Sequence, residues 1–492
     1  MEHAKIEQSN QDYRALGYSE ELLPKGPQER DWGIFNYITV WMGAVHNIMS
    51  YMTVAGFFVL GLSVNQVFLA IMLSAVIVSA GYCLNGYSAS KYGIPFAILL
   101  RDSFGVKGSI IPALCRGLIA GVVFFGTTTV VGAQSLNVLF ARFIPNYMSI
   151  GGDFTIFGLD VPTMISYIIL WVITVLLFLG GMDMLTVFGK YSSPIVYIFI
   201  IGAAIWAINI AGGIGPILAY KPSTTMESPL VFIACVSALV SNWAGPIVNI
   251  ADFTHRAKSP KAMIYGLSIG MIGSYLLFAI TCISLIAGTE IAFGQPIFNI
   301  VDAIDKIQNP FSVIVLILAL NVGATAFVVF GNLLPSGLQM TTLFPKVFTV
   351  KTAGILTAII GTVILPWKLV SSTETLFFFY SFIGSMFGPI AGIMLSSFFI
   401  ERKRRLDLSM IYVEEGHNGA YKSGYNIVAC IVLLISFLLP MSGAFLKSVP
   451  FLVQLNNFAF FSGLIVSFIL YTLLYKFNQQ NVQNSVEKEV GV

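Results

Sequence analysis

Apolar stretches of about 20 residues recur from Asp31 to Lys476, divided by short polar segments. An α-helix rises about 1.5 Å per residue, so a run of that length covers the roughly 30 Å hydrocarbon core of a bilayer. The pattern predicts twelve membrane-crossing helices, at about residues 33–62, 64–88, 109–140, 161–181, 191–212, 228–252, 262–288, 311–340, 352–367, 374–399, 425–446 and 453–475. The expected fold class is an all-α polytopic membrane protein. Its expected organisation is a polar N-terminal segment 1–30, a five-helix unit 31–212, a second five-helix unit 226–400, a loop 401–424, helices eleven and twelve over 425–476, and a tail 477–492 without fixed structure.

Composition sharpens this reading. Of 492 residues, 57% are apolar and only 10% charged, against about 25% charged in an average soluble protein, and the mean hydropathy is +0.84. A soluble enzyme, a disordered chain and a nucleic-acid binder are excluded, and a net charge of +3 is too small to imply a polyanionic partner. The first 30 residues contain no apolar core of a cleaved signal, so the first helix is expected to direct insertion. An even number of crossings puts both termini on one side. Under this map the loops and termini of that side hold 21 of the 26 Lys and Arg residues, Arg116 among them, and the opposite loops hold 5. Positive loops stay in the cytoplasm, so both termini are expected there, with the chain in the inner or plasma membrane. The five cysteines lie in or beside apolar segments without paired spacing and read as packing residues. No cofactor or metal is expected.

Two of the helices look broken. The first carries Trp41-Met-Gly43-Ala-Val-His46-Asn47 near its middle, and the sixth carries Ser241-Asn242-Trp243-Ala-Gly245-Pro246. Proline removes a backbone donor and disfavours helix in the residue before it. Broken helices in lipid occur where protein or a water-filled cavity covers the break. Either break alone could be a kink relieved by packing; a pair at corresponding places in two five-helix units points to a transporter's binding site. Helix eight adds Asn321, read as interhelical glue, and Asn332, beside Gly331. Gly384, Gly388 and Gly392 form a smooth face on helix ten. Asp252 and His255 read as solvated residues at the end of helix six. His46 lies deep in helix one, where a neutral packed histidine and a proton carrier are both open.

No HExxH, GxSxG, P-loop or paired intramembrane carboxylates occur, so an enzyme or an ATP-driven pump has no machinery here. The candidate site is aromatic and amide-rich: Trp41, Phe124, Phe125 and Trp243 offer ring faces, while Asn47, Thr128, Asn242 and Asn332 offer donors and acceptors. That lining suits a small, planar, neutral heterocycle.

Beyond these separate features, the chain resembles the nucleobase–cation symporters of type one, which include hydantoin, allantoin, cytosine and uracil permeases. The likeness runs through Gly17-Tyr-Ser-Glu-Glu-Leu-Leu-Pro24, Phe35-Asn-Tyr37, Trp41 to Asn47, Lys91-Tyr-Gly93-Ile-Pro-Phe96, Arg101-Asp-Ser-Phe-Gly105, Ile250-Ala-Asp252-Phe-Thr254, Pro366-Trp-Lys-Leu369 and Gly388-Pro-Ile-Ala-Gly392. It looks closest to bacterial allantoin permeases. The resemblance implies a five-plus-five inverted-repeat fold with discontinuous helices one and six, and alternating access. It assigns substrate binding to Asn47, Trp243 and Asn332. Where the family usually has a Trp and, four residues on, a Gln in helix three, this chain has Phe124 and Thr128. Sodium-using members take carbonyls at the positions of Gly43, His46 and Gly323 plus two helix-eight hydroxyls, which here are Ala326 and Phe327. A hard cation needs several oxygens. The expectation is therefore sodium-independent import of a nucleobase or related ring (allantoin, hydantoin, a purine or a pyrimidine), with the proton as coupling ion and His46 as the candidate carrier. A transport-inactive sensor and a uniporter of a vitamin-like ring remain as alternatives.

Overall fold

The computed structural model describes residues 2–294, 300–412 and 424–490, and is almost wholly helical. Part of the loop 401–424 and the end of the tail lie outside the described residues. The chain begins with α1 (Glu2–Ala15), then α2 (Ile34–Val45), α3 (Ile48–Val59), α4 (Val64–Tyr92), the short α5 (Phe96–Phe104) and α6 (Ile110–Phe143). A two-stranded hairpin, β1 (Thr155–Ile156) and β2 (Leu159–Asp160), leads into α7 (Val161–Leu179) and α8 (Gly181–Ile210). The second half holds α9 (Pro229–Asn242), α10 (Ala244–Asn249), α11 (Ala251–Thr254), α12 (Pro260–Phe293), α13 (Pro310–Leu343), α14 (Val350–Val363) and α15 (Thr373–Glu401). The chain closes with α16 (Ile427–Phe445), α17 (Pro450–Asn457) and α18 (Ala459–Val490). Residues expected to form a tail without fixed structure thus continue α18 as far as Val490.

Among the described residues, eight helices are long and apolar enough to cross a membrane, and α2 with α3 forms a ninth if a pair bent by 57° counts as one crossing. Shorter apolar helices lie at Val196–Ile210, Pro229–Asn242 and Val350–Val363.

At each sequence interruption one helix ends and the next begins. Between α2 and α3, Asn47 caps the second helix: its Oδ1 accepts from the Ser50 N–H at 3.0 Å, and its Nδ2 donates to the Ala44 carbonyl at 2.9 Å. One side chain thereby occupies an orphan donor and an orphan acceptor of the two helix ends. Between α9 and α10, Trp243 sits at φ −103°, ψ 4°, and Pro246 lacks the N–H that would bond the Asn242 carbonyl.

Close helix contact comes from small residues. A Cβ added at Gly384, Gly388 or Gly392 of α15 would overlap Phe460, Leu464 or Ser467 of α18. Asn321 bonds the Ser135 hydroxyl of α6 at 2.6 Å, a tie between α13 and α6. Segment 1–30 docks onto the body: Tyr13 stacks on Tyr412 at 4.1 Å, Leu22 and Leu23 are buried, and the Lys25 N–H donates to the Gly93 carbonyl at 2.9 Å.

Candidate functional site

The two breaks meet in the interior, and aromatic rings join them. Trp41 on α2 lies 6.0 Å from Trp243 at the α9–α10 break; Trp243 lies 5.7 Å from Phe327 on α13; Phe327 lies 6.1 Å from Phe124 on α6; and Phe124 lies 5.2 Å from Phe379 on α15. Each pair is edge-to-face, a packing that aromatic rings favour through their quadrupoles. The chain of rings draws on elements from both halves of the sequence.

The polar groups are placed around these rings. Ser50 on α3 links the two breaks, accepting from Asn242 Nδ2 at 3.1 Å while its own N–H donates to Asn47. Asn332 Nδ2 reaches the Phe327 carbonyl at 3.4 Å, and Thr128 follows Phe124 by one turn of α6. Asn47, Phe124, Thr128, Asn242, Trp243 and Asn332 are all buried. Asn242 Oδ1, Thr128 Oγ1 and Trp41 Nε1 have no hydrogen-bond partner. Buried polar atoms without partners are costly, and here they cluster with the rings. Asn47 differs, since both atoms of its amide are engaged in the helix joint.

The positions read as a degenerate cation site divide. A Cβ built on Gly323 would lie 3.0 Å from the His46 carbonyl oxygen and 3.4 Å from that of Gly43, so these carbonyls do face α13. Ala326 adds no oxygen, and Phe327 belongs to the ring cluster. His46 points elsewhere: its Nδ1 is 3.0 Å from the Tyr51 hydroxyl, its ring packs edge-on against Tyr197 at 4.7 Å, and Nε2 has no partner.

Two sequence readings are corrected toward the face that carries the termini. Arg116 was counted with the loops, but it is buried in a π-turn of α6 (Cys115–Ala120). Its Nε donates to Asn249 Oδ1 at 2.8 Å, and its Nη2 donates to the carbonyl of Gly331, inside a second π-turn (Val329–Leu333). Asp252, read as solvated, is buried too. It accepts from Asn249 Nδ2 at 3.0 Å and from the Phe96 N–H at 2.9 Å. His255 is likewise buried, against the Ala251 carbonyl. The motif Ile250 to Thr254 held the signal for this burial; Arg116, inside an otherwise apolar run, gave one that a count of charges passes over. Phe379 and Ser50 have no signal as site neighbours, and Phe327 reads only as a lost hydroxyl, because contacts between distant helices have no trace in local spacing.

A cavity of about 380 Å³ between α9, α15, α16 and α17 is lined by none of the six candidate binding residues.

The profile of a family described as permease for cytosine/purines, uracil, thiamine and allantoin matches residues 24–463. An allantoin permease of Bacillus subtilis (strain 168) is 34% identical over 474 residues, covering 96% of each chain. A purine-uracil permease of Arabidopsis thaliana is 26% identical over 475 residues, covering 94% of this chain and 78% of its own. Among solved structures, the nucleobase-cation-symport-1 family transporter Mhp1, closed with bromovinylhydantoin bound, superposes with a TM-score of 0.77 at 21% identity, over 94% of this chain and 96% of that one.

Proposed function

Because the chain belongs to the permease family for cytosine/purines, uracil, thiamine and allantoin, and is a multi-pass membrane protein and not an enzyme, we propose that it imports a small, neutral, planar heterocycle by alternating access. The observation that carries this reading is the ring chain from Trp41 through Trp243 and Phe327 to Phe124, set at two helix breaks and accompanied by unfilled amide and hydroxyl atoms but no charge. Ring faces sandwich a flat ligand, and the amides of Asn242 and Asn332 read its alternating N–H and C=O edge. Thr128 offers a single hydroxyl.

In this reading the three shorter apolar helices cross the membrane with the longer ones, giving twelve crossings as two inverted five-helix repeats plus two helices. The Lys and Arg asymmetry puts both termini in the cytoplasm. Allantoin or hydantoin leads among substrates, because the Bacillus subtilis relative is an allantoin permease by name and Mhp1 holds a hydantoin. Transport is sodium-independent: two carbonyls near Gly323 fall short of a sodium shell when Ala326 and Phe327 stand where hydroxyls are required. The proton then drives accumulation, with His46 as the candidate carrier through its Tyr51 contact.

The test is uptake of radiolabelled allantoin, hydantoin, uracil, cytosine and hypoxanthine by cells making the protein, with sodium present or replaced and with a protonophore. Accumulation of one compound that survives sodium replacement and collapses with the protonophore is the expected result. Sodium-stimulated uptake overturns the cation argument. Binding without accumulation favours the sensor, and downhill uptake insensitive to both treatments favours a uniporter.

A further inference from the structure

The cavity of about 380 Å³ between α9, α15, α16 and α17 has a chemistry of its own. Two helices fix its place. α15 finishes at Glu401, which accepts from the Tyr471 hydroxyl, and α16 is capped by Asn426, which donates to that same hydroxyl. The start of α15 and the end of α16 therefore lie at the other end of the bundle, away from Asp102 and the N-terminal segment. Both helices are long and apolar enough to cross a membrane, so that end is a membrane edge. The cavity reaches it at Glu374, in the first turn of α15, and at Lys447, just past the end of α16.

Charge marks the rim and neutral polar groups mark the depth. Glu374, Lys447 and Asn457 are exposed, whereas Ser237 and Ser241 on the α9 wall are each 1% exposed. Among the described residues neither Glu374 nor Lys447 has an ion-pair partner. The hydroxyls of Ser237 and Ser241 have no hydrogen-bond partner there either. Glu374 and Ser381, both on the α15 wall, stand about 10 Å apart along the helix. One turn deeper the helices close up: a Cβ on Gly384 would come within 2.6 Å of the Ser241 hydroxyl and 2.8 Å of the Phe460 nitrogen. The surroundings of the rim are apolar. Phe378 lines the cavity and is 42% exposed, and Phe445 and Phe451, on either side of Lys447 in sequence, are 74% and 68% exposed.

A volume of this order is that of a small-molecule site. Opposite charges on one rim discriminate: a simple anion meets Glu374, and a simple cation meets Lys447. A ligand that carries both signs satisfies both, and one that also carries hydrocarbon fits the exposed rings at a membrane edge.

We propose that this cavity binds the headgroup of a membrane phospholipid with a free amino group, of the phosphatidylethanolamine type, from the leaflet opposite the termini. The lipid ammonium donates to Glu374, and Lys447 donates to the phosphate. Ser237 and Asn457 donate to the glycerol ester carbonyls below, and the hydrocarbon lies along Phe378 and Phe451. Ser241 precedes Asn242, and Tyr380, also on the wall, follows Phe379, so the bound lipid braces the two elements that carry those members of the ring cluster.

The test reads lipid binding, and its outcome is therefore independent of the solute the chain carries. The purified full-length protein in detergent is titrated with phosphatidylethanolamine, its mono- and dimethylated forms, phosphatidylcholine and phosphatidylglycerol. Retained lipid is counted by native mass spectrometry, and melting is followed alongside. The wild type should retain phosphatidylethanolamine roughly fivefold better than phosphatidylcholine, with a stepwise fall as each methyl group replaces an N–H donor, a modest factor because the rim charges are screened by water. Glu374→Gln should bring those two lipids within about twofold of each other. Lys447→Met should weaken both about fivefold and keep the preference between them. Equal retention of the two lipids by the wild type overturns the site, as does a Glu374→Gln chain that keeps the wild-type preference. Phosphatidylglycerol held as well as phosphatidylethanolamine overturns the two-charge recognition. Displacement of the lipid by an equal concentration of water-soluble glycerophosphoethanolamine overturns the membrane as the source. If Glu374→Gln does not fold, the methylation series on the wild type and Lys447→Met decides.

Discussion

Along α9, α10 and α11 the chain passes from one kind of polar chemistry to another. At Asn242 and Trp243 it presents an amide and a ring among other rings, with no charge and with Asn242 Oδ1 unfilled. At Asn249 and Asp252, a few turns on, the polar groups are bonded: Asn249 receives Arg116 and donates to Asp252, which also accepts the Phe96 N–H that opens α5. The same face adds Arg402 on Asp102 at 3.0 Å and Arg256 on Asp31 at 2.6 Å. The upper region leaves Asn242 Oδ1 without a partner, the atom that the proposed binding role would use; the lower region uses charge to hold helices together. The difference teaches that burial and polarity alone do not mark a binding residue. What marks it is which of its hydrogen-bonding atoms are left over.

The largest effect should come from removing charge in the lower region. Arg116→Met leaves Asn249 Oδ1 and the Gly331 carbonyl without their donor and Asp252 without its nearby cation. Breaking a buried ionic network in this way costs about 3–5 kcal/mol, so the detergent-solubilised variant should melt well below the wild type or fail to accumulate. Adding Asp252→Asn should recover part of the loss. An unchanged melting point for Arg116→Met would remove the lower half of the comparison.

In the upper region affinity should change as well as stability. Trp243→Ala should weaken ligand affinity roughly 30-fold, about 2 kcal/mol of stacking and apolar burial, and lower the melting point too because the ring is fully buried, while Trp243→Phe should keep affinity within a few fold. Concentration dependence of uptake, or of ligand-induced protection against heating, reads both. A Trp243→Ala chain with wild-type affinity would mean the rings are core and no more.

Asn47 tests whether leftover atoms are the right criterion. Its amide is used on both sides of the α2–α3 joint, whereas Asn242 has an idle oxygen. Asn47→Ala should lower stability by about 2 kcal/mol through the lost cap and the orphaned Ala44 carbonyl, seen as a lower melting point even without ligand. Asn242→Ala should lower affinity and, through its single lost bond to Ser50, lower ligand-free melting less than Asn47→Ala does. The opposite pattern would return Asn47 to the substrate.

Much of the fold was legible because its signals are local. Apolar length marks the long helices, and Gly245-Pro246 marks a break through the chemistry of one ring nitrogen. Asn47 and Asn242 were legible as polar residues at interruptions, but their different occupations were not, since the bonds run to Ala44 and Ser50 in three dimensions. Phe327 misled for the same reason. As a residue it is a missing hydroxyl; in the fold it is the ring that connects Trp243 with Phe124. Arg116 and Asp252 read as loop and helix-end charges because sequence separates them, while α6, α10 and α11 bring them to the shared partner Asn249.

The smallest effect concerns Asp102 on α5, a helix too short to cross the membrane. Burial pushes its carboxyl up to about 6, against the pull of Arg402, while Glu401 adds to the push. An unfolded chain releases this proton near the ordinary value of 3.8, so between that pH and about 6 the folded form holds a proton that the unfolded form has lost. Stability from this group is therefore present at acid pH and declines as pH rises through the folded value, by about 1 kcal/mol from pH 5 to pH 7. Asp102→Asn cannot ionise. Its melting point should change less over that interval than the wild type's, and it should melt at or above the wild type at pH 7. If the wild type instead gains stability across the interval relative to Asp102→Asn, the Arg402 contact outweighs burial. Asp102 would then be a charge that Arg402 holds ionised.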